Sequence, residues 1–150
     1  MGLLNQLEGS SVFLDTAPLV YFVEERQPYA DLLTPFFEAV DAEKIHVFTT
    51  TVTFSEALVV PYRQKGLDLV ARYETLLLET PTLTIVPFDL KLAKMAAEVR
   101  AQHGLKTPDA IQWATAVLCG TRFFLTNDNG FKKFSTPQVL LLDDFNNDEP

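Results

Sequence analysis

Four carboxylates stand where the sequence pattern turns from one kind of element to the next. Asp15 closes the apolar run SVFLD, Glu56 follows the threonine-rich TTTVTFS, Asp109 opens DAIQWATAV, and Asp128 follows FFLTN. Carboxylates brought together repel, and some take up protons unless a cation stands between them. A ligand set made only of oxygen suits Mg²⁺ or Mn²⁺, hard ions that keep waters and bridge phosphate oxygens. The two histidines, His46 and His103, lack metal-ligand spacing, and Cys119 is the single thiol. Zinc is therefore not expected.

Each acid also has a structural reading. Asp15 can cap the helix that follows it. Thr53-Phe54-Ser55-Glu56 fits a capping box in which Glu56 reaches back to the Thr53 amide. Asp109, after Thr107 and Pro108, complements a helix dipole. Asp128 sits in NDNG, ordinary turn chemistry. What separates the two readings is whether all four acids meet at one edge of the fold.

The elements that must position them alternate along the chain. Strands are expected at 11–15, 44–50, 83–88, 121–126 and 138–143. Helices are expected after Asp15, over 29–42, from Thr53, over 67–79, after Asp89 up to Gly104, and from Asp109. In the helix before Gly104 the apolar stripe reads Leu90, Ala93, Ala97, Ala101. Apolar strands separated by helices imply a mainly parallel sheet covered on both faces, with ligands at the carboxyl ends of the strands. Asp15, Glu56 and Asp128 fall at such ends, and Asp109 joins them if its helix starts near that edge. A single domain is expected over 1–150, with about ten residues at the N-terminus and about six at the C-terminus peripheral to it.

On the helix from Asp109, Ala110, Ile111, Ala114, Val117 and Leu118 form the apolar stripe, and Asp109 shares the opposite side with Gln112, Trp113 and Ala116. Trp113 is read there as a packing or subunit surface. Val20, Tyr21, Phe22 and Val23 carry more apolar surface than one face needs, a second sign of an interface. A hydrophobic fraction of 47% and a charged fraction of 21% are those of a globular chain. Its 12 basic and 20 acidic side chains give −8, which disfavours broad non-specific affinity for nucleic acid. A cation-neutralised pocket still admits a polyanion. No apolar run is long enough to cross a bilayer, no basic leader opens the chain, and a cytoplasmic location is the expectation.

VFLDTAPLVYF, TTTVTFSEAL, PDAIQWATAV and LTNDNGF together resemble the PIN-domain ribonucleases, especially the VapC-type toxins of prokaryotic toxin–antitoxin pairs, over residues 11–143. The resemblance implies a three-layer α/β/α sandwich with a parallel five-stranded sheet in the order 3-2-1-4-5. It makes Asp15, Glu56, Asp109 and Asp128 the catalytic acids, with Asp15, Asp109 and Asp128 on Mg²⁺ or Mn²⁺. Glu56 would bind the ion through water or orient the nucleophile. Thr126 matches the hydroxyl beside the last acid, and Asn129 stands where many members carry a further Asp. The implied activity is hydrolysis of RNA phosphodiesters, with Lys132 and Lys133 as possible phosphate contacts and Arg26, Arg63 and Lys65 as further basic candidates. A homodimer and a small antitoxin are the implied partners. The alternative is a PIN-fold binding module, or an RNA-processing protein without a toxin's role. A haloacid-dehalogenase-type phosphatase would need an acid where Ala17 stands, and a receiver domain would need a lysine where the fifth strand ends in Asp143-Asp144.

Overall fold

The computed structural model describes residues 2–145. Strands β1 (Ser11–Leu14), β2 (His46–Thr50), β3 (Leu83–Val86), β4 (Phe123–Thr126) and β5 (Gln138–Leu141) form one parallel sheet in the order β3-β2-β1-β4-β5. The expected order is therefore the observed one. Helices α1 (Leu3–Leu7), α2 (Thr16–Val23), α3 (Tyr29–Asp41), α4 (Thr51–Arg63), α5 (Leu67–Glu79), α6 (Leu90–His103) and α7 (Thr107–Leu118) accompany it, with 3₁₀ turns at Asn129–Phe131 and Leu142–Asp144.

Strand periodicity assigns the two faces. Val12 and Leu14 of β1, with Phe123 and Leu125 of β4, join a core built with residues of α1 to α5, such as Leu19, Leu33, Phe36 and Tyr73. Phe13 and Phe124 point the other way and pack with Trp113, Ala116 and Phe131. A further cluster, Leu92 and Ala96 of α6 with Ala110, Ile111 and Ala114 of α7, completes that side. Burial on both faces explains why the strands read as continuous apolar runs.

The differences from the sequence expectations have local causes. β3 stops at Val86 because Pro87 cannot donate to the ladder. β5 gives way at Leu142, where the Asp143 amide donates instead to Asn127 Oδ1 at 3.0 Å. α6 ends as expected at Gly104, whose φ of 69° lies in the left-handed region. Its buried side is Leu92 and Ala96, however, and Leu90 is 87% exposed. Asp89 caps α6 through the Leu92 amide, and packing on Ala110, Ile111 and Ala114 of α7 selects a buried side one position before the expected Ala93 and Ala97. At the N-terminus, Leu3 and Leu7 of α1 are buried in the main core. Residues 146–150, most of the expected solvated tail, lie outside the described residues.

Of the two readings of Trp113, packing holds and an exposed subunit surface does not. The residue is only 4% exposed, stacked on Phe134 at 4.2 Å between ring centroids and tilted against Phe124 at 5.1 Å. Helix α7 has two apolar sides, one against α6 and one against the aromatic layer, so a single-stripe reading misassigned it. Val117 and Leu118, expected inside, are 47% and 38% exposed. Part of the surplus on α2 is also absorbed internally: Tyr21 stacks on Tyr29 and Phe22 on Phe37.

Candidate functional site

The chain runs from β1 out to β3 on one side of the sheet and then returns to place β4 and β5 on the other, so the order reverses between β1 and β4. A crevice opens at the carboxyl ends of the two strands that flank such a reversal. Asp15 is the first residue after β1, and its amide continues the ladder by donating to the Leu125 carbonyl at 3.0 Å. Thr126 is the last residue of β4, two before Asp128. Topology thus brings these two acids to one place.

Asp15 is 8% exposed, and both of its carboxylate oxygens accept hydrogen bonds. Its Oδ1 accepts from the Thr16 amide at 2.9 Å and from Gln112 Nε2 at 3.2 Å, and its Oδ2 accepts from Thr126 Oγ1 at 2.7 Å. The helix cap expected at this position is real, and the acid does more than cap. Burial holds its carboxyl above the usual range, the bonds from Thr126, Thr16 and Gln112 oppose that, and the charge of Asp128 adds to it. Thr126, fully buried, also accepts the Asp128 amide at 3.1 Å, so one hydroxyl ties the two acids' positions together. Asp128 closes its own turn through the Gly130 amide at 2.8 Å.

Asp109 lies in the first turn of α7, half-buried. Its carboxyl is pushed up to about 6, first by burial and then by the charges of Asp15, Asp128 and Glu56, with Lys106 acting in the opposite sense. Asp109 is thus the acid that feels the charges of the other three. Glu56 differs from expectation in its partner. Helix α4 begins at Thr51 and is capped by Thr50, whose hydroxyl accepts the Thr53 amide at 3.1 Å. With no capping box at Thr53, Glu56 instead accepts the Thr16 hydroxyl at 3.0 Å. That bond turns it toward the β1 edge.

Asn129 opens the 3₁₀ turn, is exposed, and makes no side-chain hydrogen bond among the described residues. Lys133 donates to the His103 carbonyl at 2.7 Å and lies over the Phe134 ring, while Lys132 is exposed without an ion pair among the described residues. Arg26 pairs with Glu24 at 3.2 Å. The cation whose charge acts on Asp109 is Lys106, which the sequence reading did not single out although it precedes Asp109 by only three residues.

The sequence reading also missed the polar layer beneath the acids. Gln112 stands one turn after Asp109 and is 1% exposed, with Thr50 and Thr53 buried against it. Thr50 donates to Gln112 Oε1 at 2.6 Å, and Gln112 Nε2 reaches Thr53 Oγ1 at 2.5 Å as well as Asp15. A lone glutamine in an apolar helix, one turn from an acid, was the available signal.

The donor set is oxygen throughout, which suits a hard divalent ion. Among the described residues, no three His, Cys, Asp or Glu side chains close tightly enough to cage an ion unaided. Mg²⁺ keeps several waters and takes only one or two carboxylates directly, so a looser arrangement fits it.

The PIN domain family model matches residues 12–136. The chain belongs to the PIN domain family. Curated protein sequences yield no match. Among solved structures, this PIN domain is similar to a toxin–antitoxin complex from Klebsiella pneumoniae, with a TM-score of 0.64 and 22% identity over 87% of this chain and 97% of that one. It is also similar to Mycobacterium tuberculosis VapC20, a sarcin-ricin-loop-cleaving toxin, with a TM-score of 0.64 and 17% identity over 81% and 93% of the two chains. The DNA-bound VapBC of Salmonella typhimurium matches with a TM-score of 0.61 and 14% identity over 89% and 98%. At such identities these likenesses concern the fold. No helix among the described residues is long and apolar enough to cross a membrane.

Proposed function

We propose that this PIN domain is a divalent-cation-dependent endoribonuclease and the toxin of a type II toxin–antitoxin pair. The observation that carries the reading is Asp15: a buried carboxylate held by three donors, at the sheet's switch point, within the field of Asp128 and Asp109. Asp15, Asp109 and Asp128 would hold Mg²⁺ or Mn²⁺, partly through water. When bound, such an ion offsets charge on the scissile phosphate and makes attacking water more acidic. Glu56, exposed and braced by Thr16, is placed to orient water or accept its proton. Lys106, with Lys132 and Lys133 as further contacts, would hold the phosphates on either side. The matched toxin that cleaves the sarcin-ricin loop supports RNA as the substrate class, and the matched toxin–antitoxin complexes support a small protein partner.

Incubation with single-stranded RNA in Mn²⁺ should give cleavage that EDTA abolishes and that weakens with salt, because each lysine–phosphate contact releases counterions on binding. In the same assay Lys106→Ala should raise KM several-fold with little change in kcat. Cleavage that persists in EDTA would refute the cation dependence. Absence of any cleavage, with RNA still bound, would favour the binding-module alternative.

A second copy of the chain belongs to the same proposal. Its support is no longer Trp113 but the exposed apolar surface of Val59, Val60 and Tyr62 on α4 with Leu67 at the start of α5. Sedimentation at micromolar concentration should return a dimer. A 16.8 kDa species at high concentration would overturn the dimer and leave the nuclease reading intact.

A further inference from the structure

We infer that Gln112 is a positioning residue that holds Asp15 and Glu56 as one unit, an inference that rests on the nuclease reading only for its activity readout. The acceptor-only carboxylate of Asp15 decides how its amide points, with Nε2 toward the acid. Thr50 Oγ1 accepts the Thr53 amide, so its own hydrogen is free to go to Gln112 Oε1, 2.6 Å away. The carbonyl end of the amide therefore faces Thr50, and both N–H bonds face the site. One goes to Asp15 Oδ1 at 3.2 Å and the other to Thr53 Oγ1 at 2.5 Å.

The direction of the remaining bonds follows. A carboxylate only accepts, so the Thr16 hydroxyl donates to Glu56 Oε1 at 3.0 Å. The Thr16 and Thr53 hydroxyls lie 3.2 Å apart; while the single Thr16 hydrogen is on Glu56, Thr53 is the one able to donate across that contact. A single path results: Thr50 to Gln112, Gln112 to Thr53, Thr53 to Thr16, Thr16 to Glu56, with a branch from Gln112 to Asp15. With these orientations each buried member of the path has a partner. Four elements meet in this path: β2 with α4, α7, and the β1–α2 junction. No buried side-chain nitrogen or oxygen among the described residues lacks a partner, so the path is complete as it stands.

A glutamine serving only to satisfy buried hydroxyls would not need to reach Asp15, and Glu56, exposed on α4, would not need a braced partner. Support of this kind for a metal-binding carboxylate affects affinity and activity by about 10–100-fold when removed. Gln112→Met keeps the volume and deletes every polar contact. Thr16→Val cuts the path at its half-buried rim, where folding is least at risk.

Both variants, their double mutant and the wild type would be compared by thermal melting, by Mn²⁺ calorimetry and by RNA cleavage at saturating Mn²⁺. Gln112→Met should melt cooperatively, bind Mn²⁺ on the order of tenfold more weakly, and lose on the order of tenfold in kcat with KM for RNA within about twofold. Thr16→Val should lower kcat as well, and the double mutant should lose less than the product of the two single losses, because they interrupt one path. A Gln112→Met protein with lowered melting temperature but wild-type Mn²⁺ affinity and kcat would overturn the inference, as would fully multiplicative losses. If Gln112→Met does not fold, Thr16→Val with wild-type kcat overturns it alone. A wild type that cleaves no RNA, alongside weakened Mn²⁺ binding in Gln112→Met, would sink the nuclease reading and uphold the positioning role.

Discussion

Asp15→Asn is expected to abolish RNA cleavage while leaving the protein folded. Asparagine remains a good helix cap, and its Oδ1 can still accept from the Thr16 amide and from Gln112. The loss lies on the other oxygen. Thr126 now donates to Oδ2 and accepts the Asp128 amide, so an Nδ2 group there would leave the buried Thr126 hydrogen without its acceptor. That mismatch is partly offset, because a buried negative charge and its desolvation cost disappear together. Catalysis has no such compensation. Charge stabilisation of several kcal/mol depends on an anionic ligand at this point, so single-turnover cleavage should fall by on the order of 10³-fold. The melting temperature should move by only a few degrees. A folded Asp15→Asn protein retaining a tenth or more of wild-type cleavage would remove Asp15 from the reaction.

The acids were legible because each falls at a junction that topology makes meaningful. An acid after the first apolar run and another after the fourth become neighbours once the sheet order reverses between those strands. Their local roles were legible too: Asp15 does cap α2, and Asp128 does close a turn. The start of α4 was not. Thr50, Thr51 and Thr53 are all acceptable caps, and Glu56 lies three residues after Thr53, as a capping box requires. The choice falls to Thr50 with help from a residue 62 positions away, since its hydroxyl also serves Gln112 on α7. Local propensity cannot express a bond of that span. The exposure of Trp113 was misjudged for a related reason. A helix wheel supposes one apolar side, whereas α7 lies between α6 and the Phe13–Phe124 layer and needs two. Gln112, a polar residue buried in that helix beside Thr115, was visible in the sequence and lacked only a reason to matter.

In the metal-free protein, Asp109→Asn is expected to stabilise the fold at neutral pH and to flatten its acid dependence. The Asp109 carboxyl is raised from 3.8 to about 6 in the folded state. A proton bound more tightly when folded supports the fold below the unfolded value. That support is lost as pH rises from about 4 through about 6, and above this the charged carboxylate opposes folding in full. Two pKa units correspond to about 3 kcal/mol as an upper bound. The group is only half-buried and partly screened, so about 1–2 kcal/mol is the realistic effect, a few degrees in melting temperature for a chain of this size. Wild type and variant should therefore melt together near pH 4 in EDTA and diverge toward pH 7, with Asp109→Asn the more stable. The other acids titrate in both proteins, and subtracting one profile from the other isolates Asp109. Adding Mn²⁺ at pH 7 should reverse the ranking, because an ion that binds only the folded wild type stabilises it in proportion to its occupancy. Parallel melting profiles in EDTA would show that the Asp109 charge is opposed neither by burial nor by its three acidic neighbours. An equal response of both proteins to Mn²⁺ would show that the ion does not depend on it.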